Sequence, residues 1–198
     1  MQHKSISGEL DTQPITTWLQ AARDGNDAAL SELFEAVYPL LHRMASSKPG
    51  VQHQGALTPT TVVNELYLKI RDSTALDVGD RHHFYATCSR AMRFIVADFA
   101  RAAMSRKRGG DYDHCAYTQA LAAQPDRTQE LLDIHAALDD LDQLDPRLRE
   151  LVELKFFGGL TYVEIGELHQ RSERSIKRDW RTARAFLAAR ATKKAEPG

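Results

Sequence analysis

The side chains that could carry chemistry are not grouped as a catalytic site requires. Asp139 and Asp140 are adjacent, so on a helix they diverge and cannot act together on one substrate. Four neighbouring histidines and cysteines suggest zinc, but they lack the spacing of a Cys-x-x-Cys or His-x-x-x-His ligand pair, namely His82, His83, His114 and Cys115. The sequence holds no glycine-rich phosphate loop, nucleophile elbow or metal-protease helix. It therefore predicts no enzyme, no cofactor and no metal site.

Lysine and arginine, by contrast, are concentrated in two blocks. Residues 81–109 carry seven of them against one acid, and residues 171–194 carry nine against two acids. Residues 126–153, between the blocks, hold nine acids and three arginines. The formal net charge of −1 hides this segregation. Two separate basic blocks favour a protein that contacts nucleic acid at two places.

The elements that position these blocks are predicted to be helices. Apolar residues recur with a period of 3.6 throughout the chain and strand patterns are almost absent, which predicts an all-α fold. Thr16 or Thr17 is expected to cap a first helix near Trp18, and a second helix should follow the break at residues 25–26. A third helix is expected from Pro59.

A long fourth helix is predicted from about His83 to Arg106 and completes a first domain, residues 14–108. Residues 109–129 mix glycine, proline and polar residues without an apolar stripe and are expected to form a flexible linker. Helical periodicity resumes near residue 130, which predicts a second small helical domain over residues 130–192.

Compartment and redox state follow from what the sequence lacks. No window is as long and apolar as a membrane span, and the N-terminus has no apolar stretch typical of a secretory signal. We therefore expect a cytoplasmic protein without a membrane partner. Cys88 and Cys115 are accordingly expected to be reduced.

The second domain contains the pattern of a helix-turn-helix. Thr161 and Glu164 form a capping-box pattern at the start of one short helix, and Ser172 caps the next after a short turn. The second helix would place its basic side chains in a DNA major groove, with bases and phosphates contacted by Arg174, Ser175, Lys177, Arg178, Arg181 and Arg184. Alternatively, these cations only keep a terminal helix soluble and favour its dipole.

The segment "LDQLDPRLRELVELKFFGGLTYVEIGELHQRSERSIKRDWRTARAFLAAR" resembles region 4 of bacterial sigma factors of the extracytoplasmic-function (ECF) group. It departs from the family pattern at Asp145, where leucine is common before the proline, at Gly166, where alanine is usual, and at His169, where we expect the glycine of the turn. The resemblance implies binding of the minus-thirty-five promoter element by this domain.

The segment "RHHFYATCSRAMRFIVADFARAAMSRKRGG" resembles regions 2.3 and 2.4 of the same family. Arg93, Asp98 and Arg101 occupy motif positions, and Phe94 replaces the usual asparagine. The resemblance implies recognition and melting of the minus-ten element, because exposed bases stack on aromatic rings while arginines follow the phosphates. The candidate residues are Phe84, Tyr85, Arg90, Arg93, Arg101, Arg106, Lys107 and Arg108. Each aromatic residue also has a spacing that suits a helical core.

The segment "LTPTTVVNELYLKI" resembles region 2.2, which in the family docks on the β′ clamp helices of core RNA polymerase. The family's acidic positions are filled here by a proline and threonines. The resemblance implies polymerase contacts by Thr60, Thr61, Asn64 and Glu65. In one interpretation Thr58 is simply an N-cap before Pro59. In the other, a Ser/Thr kinase supplies the missing charge by phosphorylating Thr60, Thr61 or Thr58, since phosphate is stabilised at a helix N-terminus.

The resemblance implies an alternative sigma factor whose partners are promoter DNA and core RNA polymerase, through the β′ clamp helices and the β flap. A Ser/Thr protein kinase and an anti-sigma factor are further candidate partners. The rival hypothesis is a helix-turn-helix repressor or activator that binds duplex DNA without polymerase. A helical adaptor that binds only protein would leave both basic blocks unexplained.

Overall fold

The computed structural model describes residues 12–46, 57–72, 80–106 and 125–195. These residues form eight α-helices and one π-helical turn, and no strand occurs among them, which confirms the all-α prediction. The helices are α1 (Thr12–Arg23), α2 (Asp27–Ser46), α3 (Pro59–Arg71), α4 (Arg81–Arg106), α5 (Pro125–Leu144), α6 (Pro146–Val152), α7 (Tyr162–Leu168) and α8 (Glu173–Ala195), with the π turn at Glu153–Phe157. None of the described helices is long and apolar enough to cross a membrane.

Helices α1 to α4 form an N-terminal bundle in which α2 packs against both α1 and α3. The Asn26 side chain caps α2 by accepting hydrogen bonds from the backbone N–H groups of Ala28 and Ala29 at 3.1 and 3.2 Å. The predicted caps Thr16 and Thr17 are wrong, because α1 begins at Thr12 and both residues lie inside it. The second helix begins where the break predicted it.

Helices α5 to α8 and the π turn form a C-terminal bundle. Helix α5 begins at Pro125, inside the segment predicted as linker, so the helix is longer than its apolar pattern indicated. Asp145 starts α6 by accepting a hydrogen bond from the backbone N–H of Arg147 at 2.9 Å. Six buried residues form a core within this bundle alone, namely Leu138, Leu141, Leu148, Val152, Phe157 and Ala183.

The helix-turn-helix is built by local hydrogen bonds. Thr161 accepts a bond from the N–H of Glu164, whose carboxylate accepts one from the N–H of Thr161 at 2.6 Å, so the capping box is complete. Ser172 accepts a bond from the N–H of Ser175 and caps α8. Sequence reasoning placed the special residue of the turn at His169, whereas the left-handed residue, with φ of 53°, is Gln170.

The two bundles share one continuous core. Helix α4 packs against α5 and against the π turn, and buried residues of both bundles belong to the same apolar cluster. This packing of α4 on α5 and the π turn is called the closed arrangement below. Residues 107–124, which connect the bundles and include Cys115, lie outside the described part of the chain.

Candidate promoter and polymerase interfaces

Helix α8 presents an exposed cationic surface beyond the turn. Arg174, Arg181 and Arg184 are exposed, and 74% of the Arg178 side chain is accessible. Lys177 is also exposed and forms an ion pair with Glu173 at 2.6 Å. Five of the six predicted contacts of this helix are therefore in a position to meet phosphates or base edges.

The sixth predicted contact, Ser175, is hydrogen-bonded by Arg171, a residue of the turn that the sequence analysis did not single out. Arg171 donates to the Ser175 hydroxyl at 2.5 Å and to the Asp179 carboxylate at 2.6 Å. Asp179 also lies 3.5 Å from Arg178. Because Arg171 links the turn to two successive turns of α8, it orients the start of the helix that would enter the groove.

Helix α3 exposes the residues expected to meet the polymerase. Thr60 and Asn64 are one turn apart and both exposed, and Thr61 and Glu65 are half-buried beside them. Thr58 is the N-cap, as predicted, and its hydroxyl accepts a bond from the N–H of Thr61 at 3.2 Å. The first turn contains no acid, so the positive end of the helix dipole is not offset by a side-chain carboxylate of that turn.

Two of the candidate base-stacking residues belong to the core. Phe84 and Tyr85 are 0% and 1% exposed, and Phe84 makes edge-to-face contact with Phe34 of α2. Burial raises the pKa of Tyr85 well above its usual value. Both rings are therefore core residues in this structure, as the alternative interpretation of their spacing predicted. They cannot stack on a base here because their own bundle covers them.

Arg93 is also withdrawn from solvent, with 1% of its surface exposed. Its Nη1 lies 3.0 Å from His135 Nδ1, 3.1 Å from the His135 carbonyl oxygen and 3.0 Å from Asp139 Oδ1. Its Nε lies 2.8 Å from Glu153 Oε1, without the alignment of a hydrogen bond. All of these partners belong to the C-terminal bundle, so a DNA contact by Arg93 would require the bundles to separate.

His135 must accept rather than donate in this contact, because an arginine offers only donors. Its Nδ1 is then unprotonated and the imidazole is neutral. Burial, followed by the charge of Arg93, lowers the pKa of His135, and Arg101 acts in the same direction. Asp139 and Asp98 oppose the shift. The closed arrangement therefore favours the neutral ring.

The remaining arginines of this basic block differ in their surroundings. Arg90 is exposed and lies 3.4 Å from Asp142 of α5, whereas Arg101 pairs with Asp98 on its own helix at 2.8 Å. The side chain of Arg106 and the residues Lys107 and Arg108 lie outside the described part. Most of the predicted region 2 surface is thus either covered or undescribed.

Glu153, on the π turn, is fully buried between two arginines. It pairs with Arg149 as well as with Arg93, and Arg149 also donates to Asp142 at 3.0 Å. Burial raises the pKa of Glu153 although both guanidinium groups lower it. Removing this carboxylate from water therefore costs more than its partners return, which is common for buried ion pairs.

A second polar contact between the bundles involves three residues that lie far apart in the sequence. His82 of α4 lies 2.6 Å from Glu150 of α6 through Nε2 and Oε1, and the His169 Nε2 lies 3.6 Å from the same oxygen. The hydrogen bond with Glu150 raises the pKa of His82. Burial lowers the pKa of His169. Only the fold brings these three groups together.

Comparison with protein families matches the ECF sigma factor model to residues 12–193, which is almost the whole chain. Neither the search of curated proteins nor that of solved structures gave a match. The family match agrees with the helix-turn-helix and its exposed basic helix. The chain belongs to the ECF sigma factor family, whose members work with core RNA polymerase at promoter DNA to initiate transcription.

Proposed function

We propose that this sigma factor binds core polymerase weakly and is only weakly active until a phosphate is added at the start of α3. Residues 14–108 would bind core polymerase and the minus-ten element as region 2, the predicted linker would end where α5 begins at Pro125, and residues 130–192 would bind the minus-thirty-five element as region 4. The observation that carries the proposal is the exposed, acid-free first turn of α3, at the position where the family resemblance implies docking on the β′ clamp.

Among the three threonines, the local geometry favours Thr60 as the acceptor. Its side chain is exposed. Thr58 is engaged as the N-cap, and its hydroxyl lies 3.0 Å from that of Thr61, which is half-buried. A phosphate on Thr58 or Thr61 would disturb the cap, whereas a phosphate on Thr60 would add negative charge at the positive end of the helix dipole and leave the cap intact.

The expected effect is large enough to act as a switch. Loss of one partner of a buried interfacial charge pair costs about 2 kcal/mol or more, which is roughly a thirtyfold loss of affinity. A phosphate carries about −1.5 to −2 charges at neutral pH and has three acceptor oxygens. A carboxylate at the same position should restore less.

The test is transcription from a cognate promoter with purified core polymerase, together with binding to the isolated β′ clamp helices. Wild type should be weakly active, Thr60→Glu should be partly activated, and kinase treatment should activate wild type but not Thr60→Ala. Thr17→Glu, on the exposed surface of α1, adds the same charge elsewhere and should change neither measurement.

Two outcomes would overturn different parts of the proposal. Equal activity of wild type, Thr60→Ala and Thr60→Glu, with and without kinase, would mean that the threonines only form the helix start. Tight operator binding without any effect on core polymerase would instead support a repressor or activator that acts alone.

A further inference from the structure

The cluster of His82, Glu150 and His169 has the composition and compactness of a metal site. The ligand atoms of all three residues lie within 4.8 Å of one another. The two imidazole rings are tilted by 60° with centroids 4.3 Å apart, and Glu150 Oε1 lies 2.6 Å from His82 Nε2 and 3.6 Å from His169 Nε2. We propose that this cluster binds a borderline divalent transition-metal ion, Zn²⁺ above all, and that the ion fastens the two bundles together.

The geometry is close to what zinc needs. Zinc bonds of about 2.0 to 2.1 Å to His nitrogen and carboxylate oxygen, in a tetrahedron, place neighbouring donor atoms about 3.3 Å apart. The two separations measured from Glu150 Oε1 fall on either side of that value. Two histidines and one carboxylate form a ligand set known from open zinc sites, in which water occupies the fourth position.

The surroundings of His169 support a missing ligand. Its Nε2 is buried and has no hydrogen-bond partner in the structure, which is costly for a polar atom. The ring also borders a cleft of about 220 Å³, through which an ion and its water could enter. The lining residues of the cleft are Arg147, Leu151, His169, Arg171, Ile176 and Asp179.

The local charges are compatible with a cation. Glu150 supplies a carboxylate in the site, and a second negative charge, that of Asp80 just before α4, acts on His82. The positive charge of Arg171 lies close enough to act on His169, but the Arg171 guanidinium donates a hydrogen bond to the Asp179 carboxylate at 2.6 Å, which offsets part of that charge.

The consequence follows from where the ligands lie. His82 belongs to α4, whereas Glu150 belongs to α6 and His169 follows α7, so the ligand set is complete only in the closed arrangement. A ligand that binds one state only stabilises that state in proportion to 1 + [L]/Kd. At a free Zn²⁺ concentration one hundred times its Kd, the closed arrangement should gain about a hundredfold over the open one.

The test uses the full chain, stripped of metal, titrated with ZnSO₄ by calorimetry and with Co²⁺ followed by its visible spectrum. Wild type should bind one ion per chain and give the absorption of a four-coordinate Co²⁺ site. His82→Ala, His169→Ala and Glu150→Gln should each weaken binding tenfold or more. His83→Ala is the matched control, because this neighbouring exposed histidine is outside the cluster, and it should bind as wild type does.

Amide exchange of α4, measured with and without Zn²⁺, reports the closed arrangement independently. Zinc should slow this exchange in wild type and in His83→Ala, and should slow it tenfold less or not at all in His169→Ala. Circular dichroism identifies any variant that has not folded, in which case Glu150→Gln, which keeps the shape of the side chain, carries the test. Absence of binding to wild type, or binding that the three cluster variants leave unchanged, would overturn the proposal. Transcription in metal-free buffer tests the proposed function separately.

Discussion

Replacement of Arg93 by methionine should open the closed arrangement. Methionine keeps much of the apolar volume of arginine and removes its charge and donors. The change takes away the contacts to His135 and Asp139 and leaves Glu153, which is 0% exposed, with Arg149 as its remaining described cationic partner. The contacts to His135, Asp139 and Glu153 all join α4 to the C-terminal bundle, so their loss should destabilise the closed arrangement more than a form in which the bundles are apart.

The size of the effect follows from burial. Removing one partner of a buried ion pair costs about 3 to 5 kcal/mol. At 1.4 kcal/mol per factor of ten, the lower limit shifts the equilibrium between closed and open forms by roughly a hundredfold. Arg90→Met is the matched control on the same helix, because Arg90 is 45% exposed and pairs with Asp142 at 3.4 Å. An exposed pair contributes about 0 to 1 kcal/mol, so its loss should shift the equilibrium less than about fivefold.

Hydrogen exchange of the α4 amides, followed by mass spectrometry, measures this opening. Arg93→Met should accelerate exchange in α4 about a hundredfold, while the amides of α1 and α2 report whether the N-terminal bundle itself remains folded. The double variant Arg93→Met/Glu153→Gln should recover part of the protection, since it no longer buries a carboxylate that has lost its arginine. If Arg93→Met and Arg90→Met exchange alike, the buried pair does not hold the bundles together.

Three further predictions concern single positions. The pKa of His135 is lowered in the closed arrangement, so the stabilisation that the neutral ring gives this arrangement should be complete above the ordinary pKa of about 6.5 and should be lost as the pH falls through the lowered pKa. His135→Gln should remove this contribution to the pH dependence of amide exchange in α4. Gly166→Ala should lower the melting temperature, because a Cβ at this position would lie 2.7 Å from the Arg171 carbonyl oxygen. The resulting strain of about 1 to 3 kcal/mol exceeds the gain in helix propensity from glycine to alanine, and a higher melting temperature would contradict this reasoning. Arg178→Glu should weaken minus-thirty-five binding tenfold or more in a mobility-shift assay, whereas the distant Arg23→Glu should not.

Local rules accounted for the helix starts that the structure confirms. Thr58, Thr161 and Ser172 cap their helices because a short hydroxyl side chain reaches the amides two or three residues on, and that requirement is written in the neighbouring sequence. The same rule gave the wrong start for α1, where Thr16 also has the residue type of a cap but lies within the helix.

What the sequence could not supply is which helix covers which face. The spacing of Phe84 and Arg93 fits a nucleic-acid surface and a core equally well, and only packing against α2 and α5 decides between them in this structure. The contact of His82 with Glu150 spans 68 positions, so no ligand-pair spacing reveals it. Sequence periodicity reports one face of one helix, whereas these sites are made by two bundles.

The proposed docking surface and the closed arrangement concern different parts of the N-terminal bundle. Thr60 and Asn64 stay exposed while Arg93 is covered, so the polymerase clamp could bind α3 before the bundles separate. A partner that binds the open and closed forms equally well does not shift the equilibrium between them. A partner that binds only the open form has an apparent affinity that is lowered in proportion to the fraction of molecules that are open.

Charge at Thr60 and opening through Arg93 should therefore act independently. Thr60→Glu should raise clamp affinity by the same factor in wild type as in Arg93→Met, and the two changes should add in free energy to within about 0.5 kcal/mol, as distant sites do. The measurement is a double-mutant cycle on binding to the β′ clamp helices. A coupling energy well above that value would mean that the start of α3 senses the position of the C-terminal bundle, and docking and opening would then be one step.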